Sequence, residues 1–178
     1  MFKKIASSIF LFVGIFFMLQ GLFDLSKRLG YYKVPVSPST IHDLQSTTSS
    51  SPAKINISSL SLTLPVEPVL LKDGRWPTSQ TGVSFLANSG NLGKVGNLIF
   101  YGHNWKTLLG SLSKTKIGDQ IILTGSNGQE FLYSVDYIVE VDQKDVSILA
   151  DTTDERITLY TCTGFLDQKR LVVVAKRV

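Results

Sequence analysis

Three side chains of this 178-residue chain have the types and spacing for nucleophilic chemistry. Cys162 is the only cysteine; it closes the apolar run ITLYTC, and Arg170 opens the next apolar run eight positions later. His103 follows Gly102 at the end of a third such run, NLIFYGHNW. A thiol beside cations ionises to the nucleophilic thiolate. An imidazole can protonate a departing amine and then activate an incoming one, and a guanidinium can hold a carbonyl oxygen as it gains charge. Each residue also has an ordinary reading: a lone cysteine in an apolar strand as a small buried hydrophobe, a histidine at a strand end as a structural residue, and Lys169–Arg170 as a solvated hairpin end. On spacing alone these readings stand beside the catalytic one, because spacing does not measure the distance from thiol to imidazole.

The elements that must position these residues read as β-strands. Ile55 and Ile57, then Leu60, Leu62, Leu64 and Val66, alternate with polar residues as half-buried strands do. Residues 95–101 form a short apolar strand. Residues 120–124, the turn Gly-Ser-Asn-Gly at 125–128, and residues 129–141 give a hairpin, whose second arm places Phe131, Tyr133, Val135, Tyr137, Val139 and Val141 on one face. Residues 156–161 and 171–176 supply two more strands, and one short helix is expected around 104–112. If the last two strands pair antiparallel across the seven residues 163–169, Cys162 and Arg170 face each other with Cα atoms about 4.5–5.5 Å apart. Gly102 allows close approach of the backbone, so His103 can project into a cleft at its strand end. Short strands with little helix point to a closed or nearly closed β-barrel or a sandwich.

Before these strands the composition changes twice. Residues 5–23 run about 19 positions without a charge, enough at ~1.5 Å per residue to cross a hydrocarbon layer of about 30 Å. This reads as a transmembrane anchor. A cleaved signal peptide is the rival, with Lys3 and Lys4 as its basic region, but the run is longer than usual and Asp-Leu-Ser-Lys-Arg follows in place of a small-x-small site. Residues 34–53, rich in Ser, Thr and Pro and including His42, cannot bury enough to offset their ordering entropy and read as a linker. The divisions expected are an anchor at 1–28, a linker at 29–53 and a folded domain at 54–178. From residue 54 onward there are 13 Lys and Arg against 12 Asp and Glu, so most of the chain's net charge of +4 flanks the apolar run. No basic stripe interleaved with aromatics exists, and nucleic acid is not an expected partner. Flanking charge alone, Lys3 and Lys4 against Lys27, Arg28 and Lys33, argues against an outward C-terminal part. A signal-anchor followed by a large translocated domain argues for one.

The stretch ITLYTCTGFLDQKRLVVVA resembles the active-site strand pair of the sortases, membrane-anchored cysteine transpeptidases of bacterial surfaces. Thr158, Leu159, Thr161, Cys162, Arg170 and Ala175 fit the motif Thr-Leu-x-Thr-Cys followed by Arg and a Val-rich strand. GNLIFYGHNW is similar to the sortase strand ending in Gly-His, with Gly102 and His103 in register. INISSLSLTLPVEP and LSKTKIGDQIIL resemble two further elements, in the family's order.

The resemblance implies an all-β fold, an eight-stranded sortase-type β-barrel with short helices preceded by an N-terminal transmembrane helix. It implies Cys162 as nucleophile on an LPxTG-like sorting signal, His103 as general acid and base, Arg170 as holder of the substrate carbonyl, and Thr161 as a substrate contact. Its partners are then secreted proteins carrying a C-terminal sorting signal and an amine acceptor, a cell-wall precursor or a pilin lysine. The resemblance also implies a single-pass cell-membrane protein, with the N-terminus cytoplasmic and the catalytic domain extracellular. A short connection between residues 141 and 156 points to a compact, class D- or E-like member, and Asn104 departs from the Arg or Ser common after the histidine. No cofactor or metal is expected: Glu140, Asp142 and Asp145 read as solvated surface. Two other classes remain open, an inert membrane-tethered sortase-like binding module and an L,D-transpeptidase-like peptidoglycan enzyme. The second departs from the residues before Cys162, which are Leu-Tyr-Thr.

Overall fold

The computed structural model describes residues 50–178 apart from Asp73. The apolar run at 5–23, His42 and most of the linker lie outside them, and among the described residues no helix is long and apolar enough to cross a membrane. Eight strands appear in the order β1 (Pro52–Ile57), β2 (Leu62–Val69), β3 (Val83–Leu86), β4 (Gly96–Gly102), β5 (Gln120–Gly125), β6 (Glu130–Asp142), β7 (Glu155–Thr163) and β8 (Lys169–Arg177). They close into a barrel with neighbours β1-β2-β3-β4-β7-β8-β6-β5. β1 takes in Pro52 and Ala53, which composition had grouped with the linker. β3 is a four-residue strand that the hydrophobic pattern did not separate from its surroundings.

Two contacts in the barrel are parallel, β2 with β3 and β4 with β7. A parallel pair cannot be joined by a tight turn. The β2–β3 connection, residues 70–82, is therefore long and lies over the outside of the barrel, and the β5–β6 hairpin intervenes between β4 and β7.

Alternation along each strand divides inside from outside. On β7, Ile157 and Leu159 face the central core while Thr158 and Tyr160 face out; on β4, Leu98 and Phe100 face in while Ile99 and Tyr101 face out. The outward set is covered in its turn. Leu86, Ile99 and Tyr101 form a second buried cluster, packed by Leu71 and Trp76 of the β2–β3 connection and Leu149 of the β6–β7 connection. Asn97 fixes that second connection, donating from Nδ2 to the carbonyls of Ile148 and Ala150 at 3.2 and 3.1 Å, while Thr158 Oγ1 donates to Asn97 Oδ1 at 2.7 Å.

Three sequence expectations are corrected. The single-face pattern of β6 holds only to Val135: the ladder to β8 shifts between Val135 and Tyr137, so Asp136 is an extra residue. A one-residue bulge changes the phase, and Ile138 packs on the core while Tyr137 and Val139 turn outward. The helix expected at 104–112 is a 3₁₀ turn at Leu109–Lys114. With three residues per turn, Leu109 and Leu112 eclipse and both are buried completely; Gly110 packs so close to the backbone of Asn104 and Trp105 that no Cβ fits there. Finally, β7 and β8 extend one pair beyond Cys162 and Arg170, to Thr163 opposite Lys169, which shortens the connection to residues 164–168.

The bulge makes a direct prediction. Ile138→Asp should lower the unfolding free energy by about 1–3 kcal/mol through a partly buried unpaired charge against the core, whereas Val139→Asp should change it by less than about 1 kcal/mol. Urea titration of both variants reads the difference, and equal losses would mean that unbroken alternation describes β6 better.

Candidate active site

Strand register assembles the site. In the parallel β4–β7 ladder Gly102 lies opposite Thr161, so His103 and Cys162, each one residue further, leave the same end of that ladder. In the antiparallel β7–β8 ladder Cys162 lies opposite Arg170. The three residues therefore form a row across adjacent strands spaced about 4.8 Å apart, with the cysteine in the middle. All three continue the outward-facing phase: His103 after Tyr101, Cys162 after Tyr160, and Arg170 two positions before Val172.

His103 is held at several points. Its carbonyl accepts from Leu109 N at 3.1 Å, and the preceding carbonyl, of Gly102, accepts from Thr161 Oγ1 at 2.8 Å. The imidazole stacks on Trp105, with centroids 4.3 Å apart and planes within 6°. Its Nε2 lies 3.1 Å from Nε2 of Gln80, which comes from the β2–β3 connection.

Cys162 is half-buried and unpaired. Burial pushes its thiol above the usual range; the Arg170 guanidinium pulls it down and the Asp167 carboxylate pushes it up, and the net result is upward. The site as a whole therefore disfavours the thiolate expected from cationic neighbours, because desolvation outweighs the charge opposite. Arg170 donates from Nη1 to the carbonyls of Asp167 and Lys169, at 2.7 and 2.9 Å, and its guanidinium carbon lies 5.9 Å from the centroid of the Tyr160 ring. Asn104 Nδ2 donates to Asp167 Oδ1 at 3.1 Å, joining the segment after His103 to the loop after Cys162.

An apolar floor adjoins the cysteine. Trp76 meets Tyr101 edge-on at 4.9 Å and stacks over Tyr160 at 6.4 Å. The Tyr101 hydroxyl donates to Pro77 O at 2.7 Å, and burial lifts its pKa to about 12, so it stays a neutral donor.

Of the residues read from the sequence, Cys162, His103 and Arg170 come together. Thr161 does not join them on the outer face: it is buried on the core side, and its hydroxyl ties β7 to the carbonyl just before His103. Glu140 pairs with Lys169 at 3.7 Å, while Asp142 and Asp145 accept from groups of their own turn, the amides of Lys144 and Ser147. Among the described residues no three His, Cys, Asp or Glu side chains gather as a metal site. Sequence reasoning missed Gln80, Trp105, Tyr160 and Asp167. Tyr160 was within reach, since period-two alternation puts it on the face of Cys162; the others arrive through loops.

A closed eight-stranded barrel carrying cysteine between histidine and arginine defines a class, and comparison with known proteins agrees with it. Residues 55–178 match the sortase domain, and the chain belongs to the sortase family. It is 32% identical over 125 residues to Sortase A of Bacillus anthracis, covering 68% of this chain and 57% of that protein. It is 34% identical over 99 residues to Sortase A of Listeria monocytogenes, covering 53% and 44%. The chain thus spans about half the length of the curated relatives it matches. Among solved structures, a lid mutant of Sortase A from Corynebacterium diphtheriae aligns with a TM-score of 0.63 at 30% identity, covering 71% of this chain and 69% of that one. Sortase C1 from Streptococcus agalactiae aligns at 0.62 and 27%, covering 74% and 68%.

The electrostatics predict the thiol's behaviour. Alkylation of Cys162 by a small neutral reagent should reach half its limiting rate at a higher pH than for the unfolded chain. Asp167→Asn should move that midpoint down and Arg170→Ala should move it up, because the first removes a charge that opposes the thiolate and the second removes one that favours it. An unmoved midpoint in both variants would show that neither charge acts on the sulfur.

Proposed function

We propose that this protein is a cysteine transpeptidase that cleaves an LPxTG-like sorting signal and passes the acyl part to an amine. The observation that carries the reading is the row His103–Cys162–Arg170 across β4, β7 and β8 on one outer face. Cys162 gives its proton to His103, and its sulfur attacks the scissile carbonyl. Arg170, held to its own loop by the Asp167 and Lys169 carbonyls, holds the oxygen as it becomes an oxyanion. As the C–N bond breaks, His103 returns the proton to the departing amine and a thioester remains. An acceptor amine then attacks the thioester, loses its proton to His103 and releases the thiol. The partly buried rings of Trp76 and Tyr160, backed by the buried Tyr101, suit the apolar residues ahead of the scissile bond. Thr161 acts by positioning β7 against Gly102.

The rest of the reading follows from the family. Residues 1–28 are the cytoplasmic tip and single membrane span, 29–53 the tether and 54–178 the catalytic domain on the extracellular side. The substrates are secreted proteins with a sorting signal, and the acceptor is a cell-wall precursor or a pilin lysine. A compact class D- or E-like place in the family is supported by the β6–β7 connection, which holds one 3₁₀ turn at Ser147–Leu149 and no longer helix. The half-burial of Cys162, which pushes its thiol pKa up, is the one observation that favours the inert-module reading instead.

Incubating the full chain in detergent micelles with LPxTG-, LPxTA- and LAxTG-type peptides and an amine should give a thioester on Cys162, seen by mass spectrometry and lost on adding amine. Cys162→Ala should abolish the adduct, and His103→Ala or Arg170→Ala should slow its formation by about 100-fold or more. If the thiol reacts with alkylators in the folded protein yet no peptide acylates it, LPxTG-like specificity is wrong. If it reacts only after unfolding, the inert reading stands.

A further inference from the structure

Gln80 is an exposed polar residue in a long connection, and nothing in the sequence marks it. The turn that carries it is nevertheless tightly built. Ser79 Oγ donates to Glu67 Oε1 at 2.6 Å and accepts from the amides of Thr81 and Gly82 at 3.2 and 2.9 Å. The Ser79 amide donates to Ser84 Oγ at 2.9 Å, and Thr81 Oγ1 reaches the same Glu67 oxygen at 3.0 Å. Gly82 packs against β2 so closely that a Cβ would meet the Pro65 carbonyl. The residues on both sides of Gln80 are thus nailed to β2 or β3, and the side chain between them ends 3.1 Å from His103 Nε2. Trp105 fixes the plane of the imidazole from one face. The contact from Gln80 fixes the remaining freedom, rotation of the ring within that plane.

We propose that Gln80 is a positioning residue that keeps His103 Nε2 engaged and so assigns proton exchange with the thiol and the departing amine to Nδ1. The reasoning is one of donors and acceptors. A primary amide has a donor end and an acceptor end of nearly equal size, so turning it by 180° exchanges one for the other at the same place. With the amide nitrogen toward the ring, Nε2 accepts and the neutral imidazole carries its proton on Nδ1. A protonated thiol then faces a protonated Nδ1, and no proton can pass between them. With the amide oxygen toward the ring, Nε2–H donates and the Nδ1 lone pair is free to take the thiol proton; the resulting imidazolium keeps its Nε2–H on the amide oxygen and offers its Nδ1–H to the leaving amine. The 3.1 Å contact accommodates either end of the amide. The second orientation is the reactive one, and the anchored turn places Gln80 to hold it.

The kinetic part of this inference rests on the transpeptidase reading; the tautomer part does not. Histidine-labelled full chain in detergent micelles would be studied by long-range nitrogen–proton correlation, with His103 assigned against His103→Gln because the chain has two histidines. The wild type should show the neutral Nε2–H ring, and Gln80→Met should shift the population toward Nδ1–H. In acylation by an LPxTG-type peptide, Gln80→Met should lower kcat about tenfold and leave KM within about twofold. Gln80→Glu, which still accepts from Nε2–H, should recover most of kcat. Gln80 is exposed, so the variants should fold, and an unchanged tautomer pattern or an unchanged kcat in Gln80→Met overturns the proposal. A wild type that shows the tautomer but acylates with no peptide sinks the transpeptidase reading and leaves the positioning role standing.

Discussion

The parallel pairing of β4 with β7 is the constraint on which the site depends. Seven register pairs, from Gly96–Glu155 to Gly102–Thr161, bring two strands far apart in the chain to a common end. A slip of one residue in either strand would turn its outward side chains into the core. His103 or Cys162 would then face inward, and no loop movement could restore the row. The Thr161 hydroxyl on the Gly102 carbonyl is placed at the last pair, where a ladder frays most readily. It makes the end of the ladder as well defined as its middle.

Around that ladder, burial and charge pull in opposite directions. Cys162 is half-buried beside the aromatic cluster, and that desolvation pushes its thiol pKa up. Arg170 opposes this from the neighbouring strand, and Asp167 supports it from the loop. The same Asp167 joins the loop to Asn104, and its carbonyl holds Arg170. The short β7–β8 connection therefore couples the charge felt by the sulfur to the position of the guanidinium. That connection is under backbone strain: Leu166 and Asp167 both have positive φ, 51° and 57°, in a region that non-glycine residues seldom occupy. A strained segment beside a reactive group persists only where surrounding contacts over-determine it, and here the two hydrogen bonds supply them.

Much of the barrel was legible because strands of period two state their faces. The alternation of Ile55 and Ile57, Leu64 and Val66, and Phe131 to Val135 read correctly, as did the turn at 125–128, where Gly128 has φ 81°. Reading failed where a local count broke. Asp136 adds one residue to β6 and reverses everything after it, and nothing in the residue types of 130–142 announces that. β3 was lost because its four residues are all buried, inside and outside faces alike, so no alternation marks it. The 104–112 segment has the leucine spacing of a helix, but Gly110 is pressed against the preceding backbone and the chain tightens into a 3₁₀ turn.

By itself the sequence marked the three candidate side chains and the local part of their geometry. A single cysteine and an arginine around a short connection between apolar runs must face each other if those runs pair, because hairpin register is local. The histidine was legible as a residue type beside a glycine, and its distance from the cysteine was not. That distance belongs to a parallel contact between strands about sixty residues apart, and such pairing is set by closure of the whole barrel. Tertiary structure alone decided the upward shift of the thiol, since desolvation is a property of what covers the sulfur. It likewise decided the arrival of Gln80 and Trp105 at the imidazole, since side chains delivered by loops carry no periodicity from which their destination could be read.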